Sequence, residues 1–428
     1  RIAHSIKSQT ILMWREWTIL IRHFYGKYLL LSRWQYVDGK RKNKRSVYFY
    51  DAYRFVNRSF VGWVDEWGLA ESEDEKEFIK DMKQRRGTTD FSDITEIKRY
   101  NALELKLLVR GVLKLKQLSD LAGYKPDVWY SPATFAVTAF RQHVEKDHFN
   151  KKFPTEVLAI AKEAYYGGRF ETAVLGDIPG PIYEYDINSA YPAAMSELAS
   201  LDGAIAEHGE WTPGELALVR VRWEASPELW YGPFPVRRIN NRLVFPRCGD
   251  GWYWNVEIEA AMRLDSVKIE FIDAIKFHIV TDIKPFHYLI DLYERRSELK
   301  KLNRPEQYVL KLILNSSYGK LAQRQLVGQN ERWYNNVLYA GQITAHTRAM
   351  LLTALRQNPN GIYLLATDGL LSNKPLNLPL SDQLGDWSSD EFSRVFIAQS
   401  GIYWKIRSDG EVVRTRGFAR DTRELTLE

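Results

Sequence analysis

Apolar and polar positions along this 428-residue chain follow two rhythms, and each marks a different kind of element. Residues 216–223 and 267–277 alternate, as half-buried strands do. Residues 47–49 form a shorter strand candidate. Residues 92–115 carry the spacing of a long amphipathic helix. Residues 286–301 and 306–318 read as two more helices, broken by a turn at Asn303-Arg304-Pro305. The apolar run 182–187 predicts a short buried strand that ends in a single carboxylate, Asp186, and Pro192 is placed to start the helix after it. Residues 362–371 have the look of a hairpin, with Thr367, Asp368 and Gly369 in its turn. Gly176-Asp-Ile-Pro-Gly-Pro181 reads as a linker into the strand of Asp186.

A strand that ends in a carboxylate before a helix can hold a divalent cation while backbone amides meet an anion. Alone, such an Asp more often caps a helix. Asp368 in the hairpin turn supplies a second carboxylate that could face Asp186. Gln307, Lys311 and Asn315 are spaced four apart and share one helix face; Arg296 and Lys300 share another. Two antiparallel helices presenting these groups would build a cationic wall for a triphosphate.

Three stretches taken together resemble the family B DNA polymerases, whose motifs read DxxSLYP, KxxxNSxYG and YxDTDS. Here they occur in that order as residues 186–192, 311–319 and 364–369. Tyr165-Tyr-Gly-Gly168 resembles the YxGG motif of the protein-primed branch, found in phages, linear plasmids and mobile elements. The resemblance implies an α+β right-hand polymerase with an antiparallel palm sheet, helical-hairpin fingers and a degenerate RNase H-like, exonuclease-type N-terminal domain. The implied boundaries are 1–150 for that domain, 151–181 for a linker carrying YxGG, 182–280 and 325–428 for the palm, and 281–324 for the fingers.

The same resemblance implies the site. Asp186 and Asp368 would be the catalytic metal ligands, joined by the Ile187 carbonyl, around two Mg²⁺ with Mn²⁺ as an alternative. Arg296, Lys300, Lys311 and Asn315 would meet the incoming nucleotide, and Tyr191 would lie beneath its sugar and exclude a 2′-OH. Tyr165, Gly167, Gly168, Tyr318, Gly319, Thr367 and Tyr403 would contact DNA. The implied partners are primer–template DNA, dNTPs and a terminal protein or other replication proteins. The implied reaction adds dNMPs to a primer 3′-OH or a protein hydroxyl.

Composition narrows the picture only at its edges. Hydrophobic residues make up 45%, with 14 Trp and 24 Tyr, which demands sizeable cores and excludes a disordered chain. The lone Cys248 cannot make an internal disulfide and fits a reducing, cytoplasmic setting. No apolar run approaches the length of a membrane span, so no membrane partner is expected. Net charge is +6, and the basic cluster at residues 40–45 reads equally as a phosphate contact or a solvated loop tip. Residues 71–76, rich in Glu and Asp, read as a solvated acidic loop.

Several departures from the family pattern stand out. Ala366 replaces the first Asp of the third motif, and Gly401-Ile-Tyr403 lacks the lysine of a KxY motif. Glu104 stands where the third exonuclease motif has Asp, and no first or second exonuclease motif is evident, so 3′–5′ exonuclease activity is not expected. A two-metal exonuclease needs about four carboxylates around ions ~4 Å apart. The chain starts at Arg1 rather than Met, which reads as a fragment, and it stops soon after Arg414-Thr-Arg-Gly-Phe418, where a thumb is expected to begin. Two other classes stay in view: a catalytically weak homologue that binds DNA as an assembly subunit, and a reverse transcriptase, which needs the paired aspartates that Ala366 denies.

Overall fold

The computed structural model describes residues 8–14, 17–24, 28–56, 58–85, 94–129, 131–149, 152–239, 242–323, 332–410 and 412–414. The chain opens with β1 (Ser8–Trp14), β2 (Trp17–Phe24), β3 (Tyr28–Val37) and β4 (Lys40–Tyr50), followed by α1 (Phe60–Trp67), α2 (Glu73–Gln84), α3 (Ile94–Ala122), α4 (Ala133–His143) and α5 (Thr155–Glu163). Next come β5 (Arg169–Thr172), β6 (Gly176–Ile187), α6 (Ala190–Ser196), β7 (Ile205–His208), β8 (Ala217–Ala225), β9 (Val236–Arg237), β10 (Leu243–Val244) and β11 (Cys248–Trp254). Then α7 (Asn255–Met262), β12 (Val267–His278), α8 (Tyr288–Lys301), α9 (Gln307–Leu321) and α10 (Val337–Arg356) lead to β13 (Ile362–Thr367), β14 (Gly369–Ser372), β15 (Trp387–Gln399), β16 (Ile402–Ile406) and β17 (Val412–Arg414). No described helix is long and apolar enough to cross a membrane.

These elements divide into two compact units, residues 1–139 with 298–316, and residues 140–297 with 317–428. In the second unit Phe140 and Phe149 join Phe286 in an aromatic cluster. In the first unit, β1 to β4 form an antiparallel meander in sequence order among the described residues. The basic residues 40–45 lie within β4 rather than at a loop tip. The α1 helix is capped by Ser59, whose side chain accepts from the Gly62 N–H, and it buries Trp63 and Trp67. Tyr308 stacks edge-on against Trp67 at 5.3 Å and donates to the Phe55 carbonyl.

The acidic stretch 71–76 is not a loop either. Ser72 caps α2 by accepting from the Glu75 N–H, and the Glu75 carboxylate accepts in return from the Glu71 N–H. Lys106 and Arg110 of α3 pair with Glu75 and Glu71. The predicted long helix appears as α3, though Ser92 lies outside the described residues.

In the second unit a seven-stranded antiparallel sheet runs β17-β16-β15-β6-β14-β13-β5, so the Asp186 strand is central. A separate four-stranded sheet, β11-β8-β12-β7, takes the strands at 217–225 and 267–278, which the palm assignment had grouped with β6. Tyr185 and Ile187 point into a large core shared with α7, α10 and this second sheet. Ile182, on the opposite face by alternation, joins a smaller cluster with Phe392, Val395 and Tyr403. Gly176–Pro181 proves to be strand, not linker. β14 pairs with β6 only over residues 183–186, so the earlier part of β6 has one free edge and tolerates prolines without a broken ladder. Gly180 is needed there, because a Cβ would lie 2.5 Å from the Phe392 carbonyl oxygen. The helix after Asp186 begins at Ala190, two residues before Pro192, which sits in its first turn. Apart from Arg414, the expected start of a thumb at 414–418 lies outside the described residues.

The capping carboxylate gives a pH test of the α2–α3 contact. The Glu71 N–H hydrogen bond is the largest influence on Glu75; burial opposes it, and Lys106 and Arg110 add to it, giving a value of about 2 against an ordinary 4.5. A depressed carboxylate stabilises the fold above its unfolded pKa, and that contribution is lost as pH falls through the folded one. Unfolding measured between pH 5 and ~2 is expected to show a shallower loss of stability in Glu75→Gln than in the parent.

Candidate active site

The site is built where β6 ends beside the β13–β14 hairpin. Asp186 lies directly opposite Gly369 on one side and Ser388 on the other. The hairpin turn is very tight. Ala366 pairs with Gly369, and the Asp368 N–H donates back to the Ala366 carbonyl at 2.7 Å across Thr367. Thr367 has φ 64°, an uncommon and strained setting for a β-branched residue. The Ile187 N–H then donates to the Asp368 carbonyl at 2.8 Å, tying the turn to the end of β6. The two aspartates predicted from sequence therefore sit on adjoining segments, with Asp186 exposed and Asp368 half-buried. Gly369 leaves room for them: a Cβ there would lie 2.9 Å from Asp186 Oδ1 and 3.0 Å from the Tyr185 carbonyl oxygen.

Four more predicted residues, Gly168, Tyr191, Tyr318 and Tyr165, meet beside this turn. A Cβ on Gly168 would lie 2.8 Å from Thr367 Cγ2 and 2.9 Å from the Tyr191 hydroxyl. Gly167 is under no such demand, since its Cβ would meet only Leu243 at an ordinary 3.7 Å. The Tyr191 and Tyr318 rings lie 4.5 Å apart, and the Tyr318 hydroxyl hydrogen-bonds that of Tyr165 at 2.7 Å. Burial, ahead of the neighbouring phenols, pushes the Tyr318 hydroxyl far above its ordinary value, so it stays neutral. Gly319 is exposed and a Cβ there would meet nothing within 4 Å.

What holds the Tyr165–Gly168 segment was not foreseen. Arg348 on α10 donates through Nη1 to the Tyr166 and Gly167 carbonyls at 2.8 and 2.7 Å. Its Nε and Nη2 form a fork onto both oxygens of Glu257, at 2.7 and 2.8 Å, and the two side chains are 2% and 3% exposed. Thr344, one turn earlier on α10, also donates to the Tyr166 carbonyl. Burial acts to lower the Arg348 pKa, but the Glu257 charge and hydrogen bonds outweigh it, so the guanidinium stays charged.

Residues 53–331 match the family model described as DNA polymerase type B, organellar and viral. The chain belongs to the organellar and viral type B DNA polymerases. A DNA polymerase of Acidianus bottle-shaped virus is 27% identical over 434 residues, covering 93% of this chain and 63% of that protein. The DNA-directed DNA polymerase of Enterobacteria phage PRD1 is 28% identical, covering 61% of this chain and 53% of its own length. The chain thus spans somewhat over half the length of these relatives. A structure of Phi29 DNA polymerase shares the fold, with a TM-score of 0.67 at 17% identity over 94% of this chain and 74% of that one.

The other predicted residues of this type B polymerase chain are placed less closely. Lys311 and Asn315 are exposed on one face of α9, and Lys300 is exposed near the end of α8; all three belong to the first unit. Arg296 of the second unit is half-buried, and its Nε finds no hydrogen-bond partner. Burial holds its pKa below the ordinary value. Tyr403 is packed into the smaller core and offers DNA little surface. Two residues on, Lys405 is buried with its ammonium paired to Glu184 and 4.7 Å over the Phe392 ring. The exonuclease-motif residue Glu104 pairs with Lys83, whose ammonium also faces the Phe60 and Tyr100 rings.

Two variants test this geometry. Gly369→Ala is expected to displace the Asp186 carboxylate and lower any Asp186-dependent activity by ten-fold or more, with little change in melting temperature. Arg348→Ala leaves Glu257 buried without its partner. It is expected to cost about 3–5 kcal/mol in denaturant unfolding, and Arg348→Lys, which lacks the fork, to recover only part of that.

Proposed function

We propose that this chain is a DNA-directed DNA polymerase that extends a primer 3′-OH, or a protein hydroxyl, with dNMPs. The observation that carries the reading is the pairing of Asp186 with the Asp368 turn through the Ile187–Asp368 hydrogen bond. Family membership and the names of the relatives support it. A structure titled as Phi29 DNA polymerase complexed with primer–template DNA and incoming nucleotide substrates shares this fold at a TM-score of 0.63, which makes the same ligands the natural proposal here.

The donor set fits two Mg²⁺. Asp186 and Asp368 offer hard carboxylate oxygens at a strand end and a turn, and Mg²⁺ prefers one or two carboxylates plus substrate phosphates and water. Bound there, such ions would lower the pKa of the 3′-OH and neutralise charge on the phosphates. The remaining work belongs to the chain. O3′ bonds to the α-phosphorus as the bond to pyrophosphate breaks, and Arg296, Lys300, Lys311 and Asn315 are assigned to the phosphates. The unpartnered Nε of Arg296 is a donor that suits an anion. Tyr191, braced by Tyr318 and closely approached by the backbone of Gly168, is assigned to the sugar, where a 2′-OH would clash.

Ala366 favours a second reading, a homologue that binds DNA with little catalysis. Primer extension with Mg²⁺ and dNTPs separates the two. The parent is expected to extend, and Asp186→Ala and Asp368→Ala each to lose ~10³-fold or more, the scale on which groups that stabilise transition-state charge act. A parent that binds primer–template in a salt-sensitive way but never extends it would establish the second reading. In the same assay, Tyr191→Ala is expected to narrow the preference for dNTPs over rNTPs; equal use of both by the parent would remove the assignment of Tyr191.

A further inference from the structure

The β3–β4 hairpin carries almost the whole excess charge of the chain. Residues 28–50 contain six Lys and Arg against the single Asp38, a net +5 beside +6 for all 428 residues. Asp38 and Gly39 turn the hairpin with φ 53° and 71°, the left-handed pair of a tight two-residue turn. β4 is an edge strand of its sheet, and every residue from Lys40 to Phe49 is exposed. Around α2 and α3, by contrast, Lys76, Lys80, Lys83, Arg85, Lys106 and Arg110 all pair with carboxylates. On β4 the only ion pair among the described residues is Lys42 with Asp38, at 4.0 Å between exposed side chains. Arg41 lies over Trp34, its Cζ 4.8 Å from the ring centroid, and donates to the Tyr36 hydroxyl.

Aromatic surface continues directly from this charge. Val47, Tyr48 and Phe49 are each about half exposed. The Tyr48 and Tyr50 rings are stacked, 5.9 Å apart and 9° from parallel. Lysines on an edge strand commonly serve to stop sheets from pairing with other chains. That purpose needs only one or two of them, and it does not account for three exposed apolar side chains in a row. A row of unneutralised cations followed by flat, exposed rings is the chemistry that binds single-stranded nucleic acid, with phosphates on the cations and bases on the rings.

We infer that the face of β4 that carries Lys40, Arg45 and Phe49, which pair with Val37, Arg33 and Leu29 on alternate positions of β3, is a binding strip for single-stranded nucleic acid, with Lys40 and Arg45 on the phosphates and Phe49 stacking a base. Its length, ~36 Å at ~3.3 Å per residue, suits a site of several nucleotides. The choice of DNA as the strand rests on the polymerase reading; the strip itself does not.

The test uses the full chain and labelled dT20, followed by fluorescence anisotropy over a range of salt without Mg²⁺ or dNTPs, so that a failure of the catalytic reading leaves the result intact. The double variant Lys40→Ala, Arg45→Ala is expected to bind about ten-fold more weakly. The slope of log affinity against log salt should become shallower by ~1.4, at about 0.7 per phosphate on a single strand. Phe49→Ala is expected to lose affinity with the slope unchanged. Both variants alter exposed side chains and should melt with the parent. Parent affinity and slope in both variants would overturn the inference. So would intact dT20 binding alongside lost binding to phosphatidylserine vesicles, which would make the strip a membrane contact.

Discussion

One backbone hydrogen bond, from the Ile187 N–H to the Asp368 carbonyl, holds the rest of the candidate site in register. It joins the end of the central strand to a hairpin turn that is nearly two hundred positions away in sequence. With it in place, Asp186 faces Gly369 and two carboxylates share one edge of the sheet. Antiparallel pairing sets such a relation sharply, because a slip of one residue would turn Asp186 into the large core and Tyr185 out of it. The strain at Thr367 is part of this arrangement. A γ-like turn with a β-branched residue at positive φ persists only where surrounding pairing over-determines it.

A second layer fixes the loop that closes over the turn. Arg348 and Glu257 are buried together, and desolvation alone would make such a pair costly. It is tolerable because all three guanidinium nitrogens donate: a fork onto the carboxylate, and two bonds to carbonyls of the Tyr165–Gly168 segment. The pair converts α10 into a rigid backing for Gly168. The Gly168 backbone in turn approaches both Tyr191 and Thr367 more closely than any side chain would allow. Gly168 and Gly369 thus mark where backbone passes close to the residues of the candidate site, and Gly180 where it passes close to the neighbouring strand.

How much of this was legible depends on whether the signal was local. Asp186, Asp368, Tyr191, Tyr318 and Gly168 were found because each sits in a short pattern with its own physical sense, and the structure brings them together. Helix α10 was missed because it is buried on nearly all sides and so shows no amphipathic period. Arg348 and Glu257, in turn, look like ordinary charged residues until burial is known. The first half of β6 was hidden by its glycines and prolines, which read as a linker until pairing with β15 was seen. The acidic stretch 71–76 was misread because its carboxylates find their partners on α3, some thirty residues away.

By itself the sequence determined which residues the proposed chemistry draws on: two carboxylates in turn-forming contexts, a cationic helix face, and a tyrosine within the first motif. Those are properties of residue type and short spacing, which survive in one dimension. Only the tertiary structure decided which strand neighbours Asp186, that residues 205–278 largely build a sheet of their own, that Tyr403 faces a core, and that an arginine holds the glycine loop. These depend on strand order and burial, and both arise from contacts between segments whose separation along the chain carries no local mark.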